Sequence, residues 1–253
     1  MKNLFLIRII TFIASITFTG IASAQLPANT RQLIIGIAPN NNSSHVTLSV
    51  FEKNANSWQQ QGSAWNGRLG RNGLAWGIGL HPAGLSGLQK KEGDGRSPAG
   101  LFKIGSGSSY AFGYAPSIKK NPNLPYKQIT TKDLWVEDSK STNYNRHILL
   151  DHTPKSTWEK KAQMRQGDYA HSLKLFIAHN EGTTQQRAKA YAGSAIFFHI
   201  WRSSGAKATA GCTTMDPTKL KEFIARIDPN KAPVYILLTN ADYQKYRAAW
   251  KLP

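Results

Sequence analysis

The residues best suited to chemistry in this chain are a histidine and the single cysteine, set close together in its C-terminal part. His199 lies in an apolar run, Ala195-Ile196-Phe197-Phe198-His199-Ile200-Trp201. Cys212 ends a segment of small residues, Thr209-Ala210-Gly211-Cys212. A neutral imidazole within hydrogen-bond reach of a thiol can take its proton and leave a thiolate nucleophile. Backbone N–H groups in a sharp glycine turn can stabilise that thiolate and the oxyanion it generates on an attacked carbonyl. Taken singly, the cysteine reads as a small buried hydrophobe and the histidine as a core residue. It is their order, a strand-borne histidine followed by a loop and a lone thiol, that points to acyl transfer.

The elements that must position this pair can be read from pattern. Strand alternation puts Phe197, His199 and Trp201 on one face and Ile196, Phe198 and Ile200 on the other. Gly211 lets the backbone turn and approach its neighbours closely. Asp216 and Pro217 suit the N-cap and first position of a helix, and Leu220, Phe223, Ile224 and Ile227 follow helical spacing, so a helix is expected directly after the cysteine. Upstream, Gln32 to Ala38 and Val46 to Phe51 flank a turn cluster and read as a hairpin. Trp58 to Leu69, Leu101 to Ile104, Leu134 to Val136, Leu173 to Ala178 and Val234 to Leu238 read as further strands. Residues 105–131 read as irregular. Trp158 to Met164 reads as one or two helical turns, and Ala241 to Lys251 as a short terminal helix. The sum is a mainly β, β-rich α+β fold in a single domain over residues 25–253.

The first residues have the parts of a secretory signal peptide: Lys2 and Arg8, an apolar stretch from Ile9 to Ala22, and the small-x-small site Ala22-Ser23-Ala24. Residues 1–24 are expected to be removed, with an uncleaved N-terminal anchor as the second reading. No later segment is long and apolar enough to span a membrane. Export to a periplasm or cell wall makes an unpaired cysteine a liability unless it is used or buried. The chain carries a formal net charge of +18. Its Lys and Arg are scattered and match no nucleic-acid motif, so the expected partners are anionic envelope polymers or carboxylate-bearing peptides. There is no His-Glu-x-x-His and no cysteine pair, and no metal or other cofactor is expected. His147 and His152 near Asp151 read as a polar loop. Glu137, Asp138 and Glu159 read as solvated turn residues.

With these residues in view, the chain resembles the L,D-transpeptidase (YkuD-type) catalytic domain. His199 matches the strand-borne base, and Gly211 and Cys212 match the core of the Ser-x-Gly-Cys segment. Ser97-Pro98-Ala99-Gly100-Leu101-Phe102, after the turn Gly93-Asp94-Gly95, resembles the family's Thr-Pro-x-Gly-x-Phe segment. Three positions differ. Ile200 follows the histidine in place of Gly, Thr209 replaces Ser, and Thr214 stands where an Arg is usual. The resemblance implies a YkuD-like β-sandwich, with a helix after the cysteine loop, acting on peptidoglycan stem peptides without a cofactor. It implies Cys212 as nucleophile and His199 as base. Gly211, Ile200 and Thr209 would serve the oxyanion or orient the base, and Arg202, Trp201 and Arg96 would contact substrate. An L,D-carboxypeptidase or amidase acting on the same bonds is the second reading, and a non-catalytic wall-binding module the third.

Overall fold

The computed structural model describes residues 26–105, 110–118, 121–183 and 185–253. The expected signal peptide lies outside the described residues. The two segments predicted as a hairpin form β1 (Gln32–Ala38) and β2 (His45–Asn54), paired antiparallel. The third predicted strand is interrupted at Gly62 and becomes β3 (Ser57–Gln60) and β4 (Trp65–Arg68). Next come β5 (Leu74–Trp76) and β6 (Ser97–Lys103). The segment read as irregular contains β7 (Ala111–Gly113) and β8 (Tyr126–Gln128), each too short to show a period. Then follow β9 (Asp133–Trp135), β10 (His147–Leu149) and the helical turn α1 (Thr157–Lys161). The last elements are β11 (Leu173–Phe176), β12 (Phe197–Ile200), β13 (Thr213–Met215), α2 (Pro217–Arg226), β14 (Val234–Thr239) and α3 (Asn240–Tyr246).

One large mixed sheet runs in the order β5-β6-β14-β1-β2-β4-β13-β12-β11-β7-β8, with β3 added to β2, and β9 and β10 pair apart from it. This is the β-rich architecture expected. The interior strands β1 and β14 are apolar along almost their whole length because both faces are covered. On one face of β12, Phe198 and Ile200 join the main core with Leu33, Tyr235 and Phe223. On the other, Phe197 packs with Phe112, Trp135, Met164 and Phe176 in a second, aromatic cluster, and Cys212 touches that cluster. Helix α2 lays Leu220, Phe223 and Ile224 on the main core, and its N-cap Asp216 accepts from Thr218 and Lys219 N–H.

The structure corrects one expectation about the cysteine. A strand, not the helix, follows Cys212 at once. Residues 213–215 are bound on both sides, parallel to β12 and antiparallel to β4. The helix begins only at Pro217, so the Cys212 thiol does not sit at its N-terminus.

Two buried histidines fasten the neighbouring loops. His81 Nδ1 accepts from Leu101 N–H at 3.0 Å while its Nε2 lies 3.0 Å from the Gly77 carbonyl. His179 Nδ1 accepts from Ile78 N–H at 3.2 Å, and Nε2 lies 2.9 Å from the Ala192 carbonyl. Both rings are therefore neutral and fixed in one tautomer. Burial pushes His179 down to about 3.

Two stability measurements follow from this packing. Phe198 is wholly buried against Phe223 and Tyr235, so Phe198→Ala should cost ~3–5 kcal/mol in urea unfolding. Asp216→Ala, which removes only a cap, should cost ~1 kcal/mol; equal losses would contradict the packing described. The second measurement concerns acid. The folded value of His179 lies below its unfolded value, so as pH falls the unfolded chain takes up the proton first. This stability is fully present above about pH 6.5 and is lost progressively down to about pH 3. The urea midpoint should drop between pH 7.5 and 5.0, with His179 alone contributing roughly 2 kcal/mol. A flat midpoint would refute the neutral assignment.

Candidate active site

The cysteine loop is held by hydroxyl groups. Thr209 Oγ1 accepts from Gly211 N–H at 3.0 Å and donates to the Cys212 carbonyl at 2.7 Å, closing the turn on itself. From the other side, fully buried Ser97 donates from Oγ to the Gly211 carbonyl at 2.8 Å and accepts from Gly70 N–H at 2.9 Å. Gly211 takes φ +155, and a Cβ there would meet the Arg96 carbonyl at 3.0 Å and Ile196 Cδ1 at 3.1 Å. A side chain at this position would strain the backbone and push the Arg96–Ser97 segment away. The Ser97-Pro98-Ala99-Gly100 segment and the cysteine loop therefore meet in space, though far apart in sequence.

Cys212 is partly buried, with Sγ 3.5 Å from the Ala195 carbonyl. Burial pushes its thiol up, while a backbone hydrogen bond from Phe197 and the charge of Lys174 pull it down. His199 sits on the adjacent strand, 6% exposed, with Nδ1 2.9 Å from the Ile200 carbonyl. An N–H donated to that carbonyl leaves Nε2 with its lone pair. Burial pushes His199 down to about 3, helped by the neighbouring His171. The two rings stack with centroids 4.7 Å apart and planes 25° from parallel.

Cys212 and His199 line one cavity of about 720 Å³. Thr209, Gly211 and Arg202 line it as well, and Arg202 is engaged at the rim. Its guanidinium pairs with Asp168 and lies 3.2 Å from His171 Nδ1, and His171 Nδ1 is itself 2.7 Å from Asp168. Burial would raise the Asp168 carboxyl, but the hydrogen bonds from Arg202 and His171 hold it at about 2. The other two expected substrate contacts do not line the cavity. β12 ends at Ile200, and Trp201 turns into a separate cleft with His45, Asn66, Arg68 and Gly205. The Arg96 guanidinium reaches back to the carbonyls of Asn41 and Leu74, so only its backbone approaches the cysteine loop. The Gly211 amide, expected to serve an oxyanion, is occupied by Thr209.

The cavity also gathers residues the sequence reading passed over: His171, Lys174, Glu92 and Lys90. Glu137 and Asp138, read as solvated turn residues, line it too. The signal for Lys174 was a charged residue inside the apolar run Leu173-Lys174-Leu175-Phe176. His171 gave none, since it enters through a short turn capped by Asp168. His147 instead pairs with Asp133, and His152 with Asp151 and Glu159, away from the cavity. Among the described residues, no group of three or more His, Cys, Asp or Glu side chains could hold a metal ion.

Residues 41–236 match the family model of the L,D-transpeptidase catalytic domain, YkuD. Among solved structures, the chain is similar to Bd1075 of Bdellovibrio bacteriovorus, with 13% identity and a TM-score of 0.40, over 90% of this chain and 56% of that one. It is also similar to the helical cell shape determining protein Pgp2 of Campylobacter jejuni, with 11% identity and a TM-score of 0.36, over 86% of this chain and 51% of that one. It spans about half the length of these structures. No curated protein matches the chain. The family match runs from the turn between β1 and β2, through the Ser97–Phe102 segment and the cysteine loop, to the middle of β14, and on that ground the chain belongs to the L,D-transpeptidase catalytic-domain family.

Proposed function

We propose that this protein is an exported cysteine acyltransferase acting on peptidoglycan stem peptides, with Cys212 as nucleophile and His199 as base. The observation that carries the proposal is that a thiol and an imidazole line one cavity, with the imidazole's Nδ1 2.9 Å from the Ile200 carbonyl. His199 Nε2 takes the thiol proton, and sulfur attacks the carbonyl at the L-centre of a meso-diaminopimelate residue. The S–C bond forms, the C–N bond breaks, and His199 returns the proton to the departing D-Ala amine. An amine from a neighbouring stem then takes the acyl group from the thioester. With the Gly211 amide occupied, the Cys212 amide is the donor we assign to the oxyanion. The cavity's composition suits a zwitterionic ligand, because Glu92, Glu137 and Asp138 line it together with Lys174, Arg202 and Lys207.

The N-terminal pattern of residues 1–24 supports export. No helix among the described residues is long and apolar enough to cross a membrane. The basic balance of the chain favours contact with anionic envelope polymers.

Residues 25–253 incubated with purified tetrapeptide muropeptides should give crosslinked dimers by mass spectrometry, and Cys212→Ala should give none. Tripeptide with free D-Ala and no dimer would replace transpeptidation with hydrolysis. Sacculus binding without product would leave a wall-binding module. The pH dependence supplies a further check. His199 is held neutral down to about 3, so the rate of Cys212 acylation should show no His199 inflection between pH 5 and 7. A wild-type inflection there that disappears in His199→Gln would show that the ring is protonated in this range.

A further inference from the structure

One buried cation that lines the cavity takes no part in the proton-transfer and acyl-transfer steps above. Lys174 is 4% exposed, on β11, in the middle of an apolar strand. Its Nζ donates to the Met164 carbonyl at 2.7 Å and lies 5.6 Å from the centroid of the Phe197 ring. An ammonium carries three donors. Among the described residues no carboxylate forms an ion pair with it, whereas Lys90, the other buried lysine of the cavity, is paired with Asp94 at 2.7 Å. Burying an unpaired ammonium is costly, so its retention calls for a use.

The sheet register shows where that charge stands. Lys174 pairs with His199, and His199 pairs with Thr214, so the three residues form one row across β11, β12 and β13. Paired residues point to the same side of a sheet. Thr214 is the position where the resemblance leads one to expect an arginine. Its buried Oγ1 has no hydrogen-bond partner, and the positive charge in the row stands on the opposite flank of His199. Phe197 connects Lys174 to the thiol. The ammonium lies against its ring, and Cys212 packs against the aromatic cluster to which Phe197 and Met164 belong.

We propose that Lys174 is the cation that stabilises the Cys212 thiolate, acting as a positioning residue through the sulfur, while His199 only carries the proton. The other charged groups of the cavity are poorly placed for this role. His199 and His171 are stacked and both kept neutral by burial. Arg202 is exposed and paired with Asp168, and Lys161 and Lys207 are exposed at the rim. Glu137 opposes the thiolate, and Lys90 helps it from its own ion pair. Burial brings Lys174 down to about 8, opposed first by Cys212 and then by Asp168 and Glu137. The thiol and the amine therefore titrate as a coupled pair, each favouring the charged form of the other.

The inference rests on Cys212 being the reactive thiol, but its test needs no stem peptide. Alkylation of Cys212 by iodoacetamide is followed from pH 5 to 10 in the intact protein, in Lys174→Met and in Lys174→Arg. Lys174→Met should cut the alkylation rate at pH 7, where Lys174 is charged, about tenfold. Lys174→Arg should stay within about twofold of the parent. An unchanged rate at pH 7 in a folded Lys174→Met overturns the proposal. If that variant does not fold, Lys174→Gln is followed in the same way, and an unchanged rate overturns it equally. Loss of the coupling with intact muropeptide activity sinks Lys174 alone. An intact coupling without muropeptide chemistry sinks the proposed function and leaves Lys174 standing.

Discussion

The arrangement around Cys212 depends on one buried hydroxyl. Ser97 Oγ donates to the Gly211 carbonyl and accepts from Gly70 N–H, so three distant segments are tied at a single atom. Leaving either backbone group unpaired in this interior would cost ~1–3 kcal/mol. The contact also dictates residue size. A Cβ at Gly70 would meet the Gly95 carbonyl at 2.4 Å, and one at Gly211 would meet the Arg96 carbonyl. Both glycines are needed because main chains cross there, where no side chain fits.

This contact explains why two sequence segments that look unrelated belong together. The Ser97–Phe102 segment is not catalytic by its chemistry. It is the wall against which the cysteine loop is set, and β6 carries that wall into the sheet through β14. Thr209 completes the clamp from inside the loop. Its hydroxyl does what serine would do there, so the Thr-for-Ser difference keeps the hydrogen bonds.

Much of this was legible in the sequence, for identifiable reasons. An apolar run gave β1, alternation gave β2, the cap Asp216-Pro217 gave the start of α2, and a second apolar run gave the histidine strand. Short strands such as β7, β8 and β13 were not legible, because three residues cannot display a period and are made strands only by their partners. Trp201 was misplaced because alternation was carried one residue past the strand's end. Arg96 was misplaced because its side chain and backbone point to different neighbours. Lys174 and His171 reach the cavity through pairing and stacking across elements, which no local pattern encodes.

The position of β14 has a kinetic meaning. This strand, next to last among the elements, lies between β6 and β1 and runs parallel to β1, some 200 residues earlier in the chain. Until it arrives, β1 and β6 each present an open edge, and the wall behind the cysteine loop has no support. Such non-local pairing makes folding slow and leaves sticky edges exposed on the way. Synthesis from the N-terminus therefore yields no partly formed cavity. The Cys212 thiol acquires its surroundings only when the sheet closes around its latest strand, so the nascent chain carries an ordinary cysteine until folding is complete.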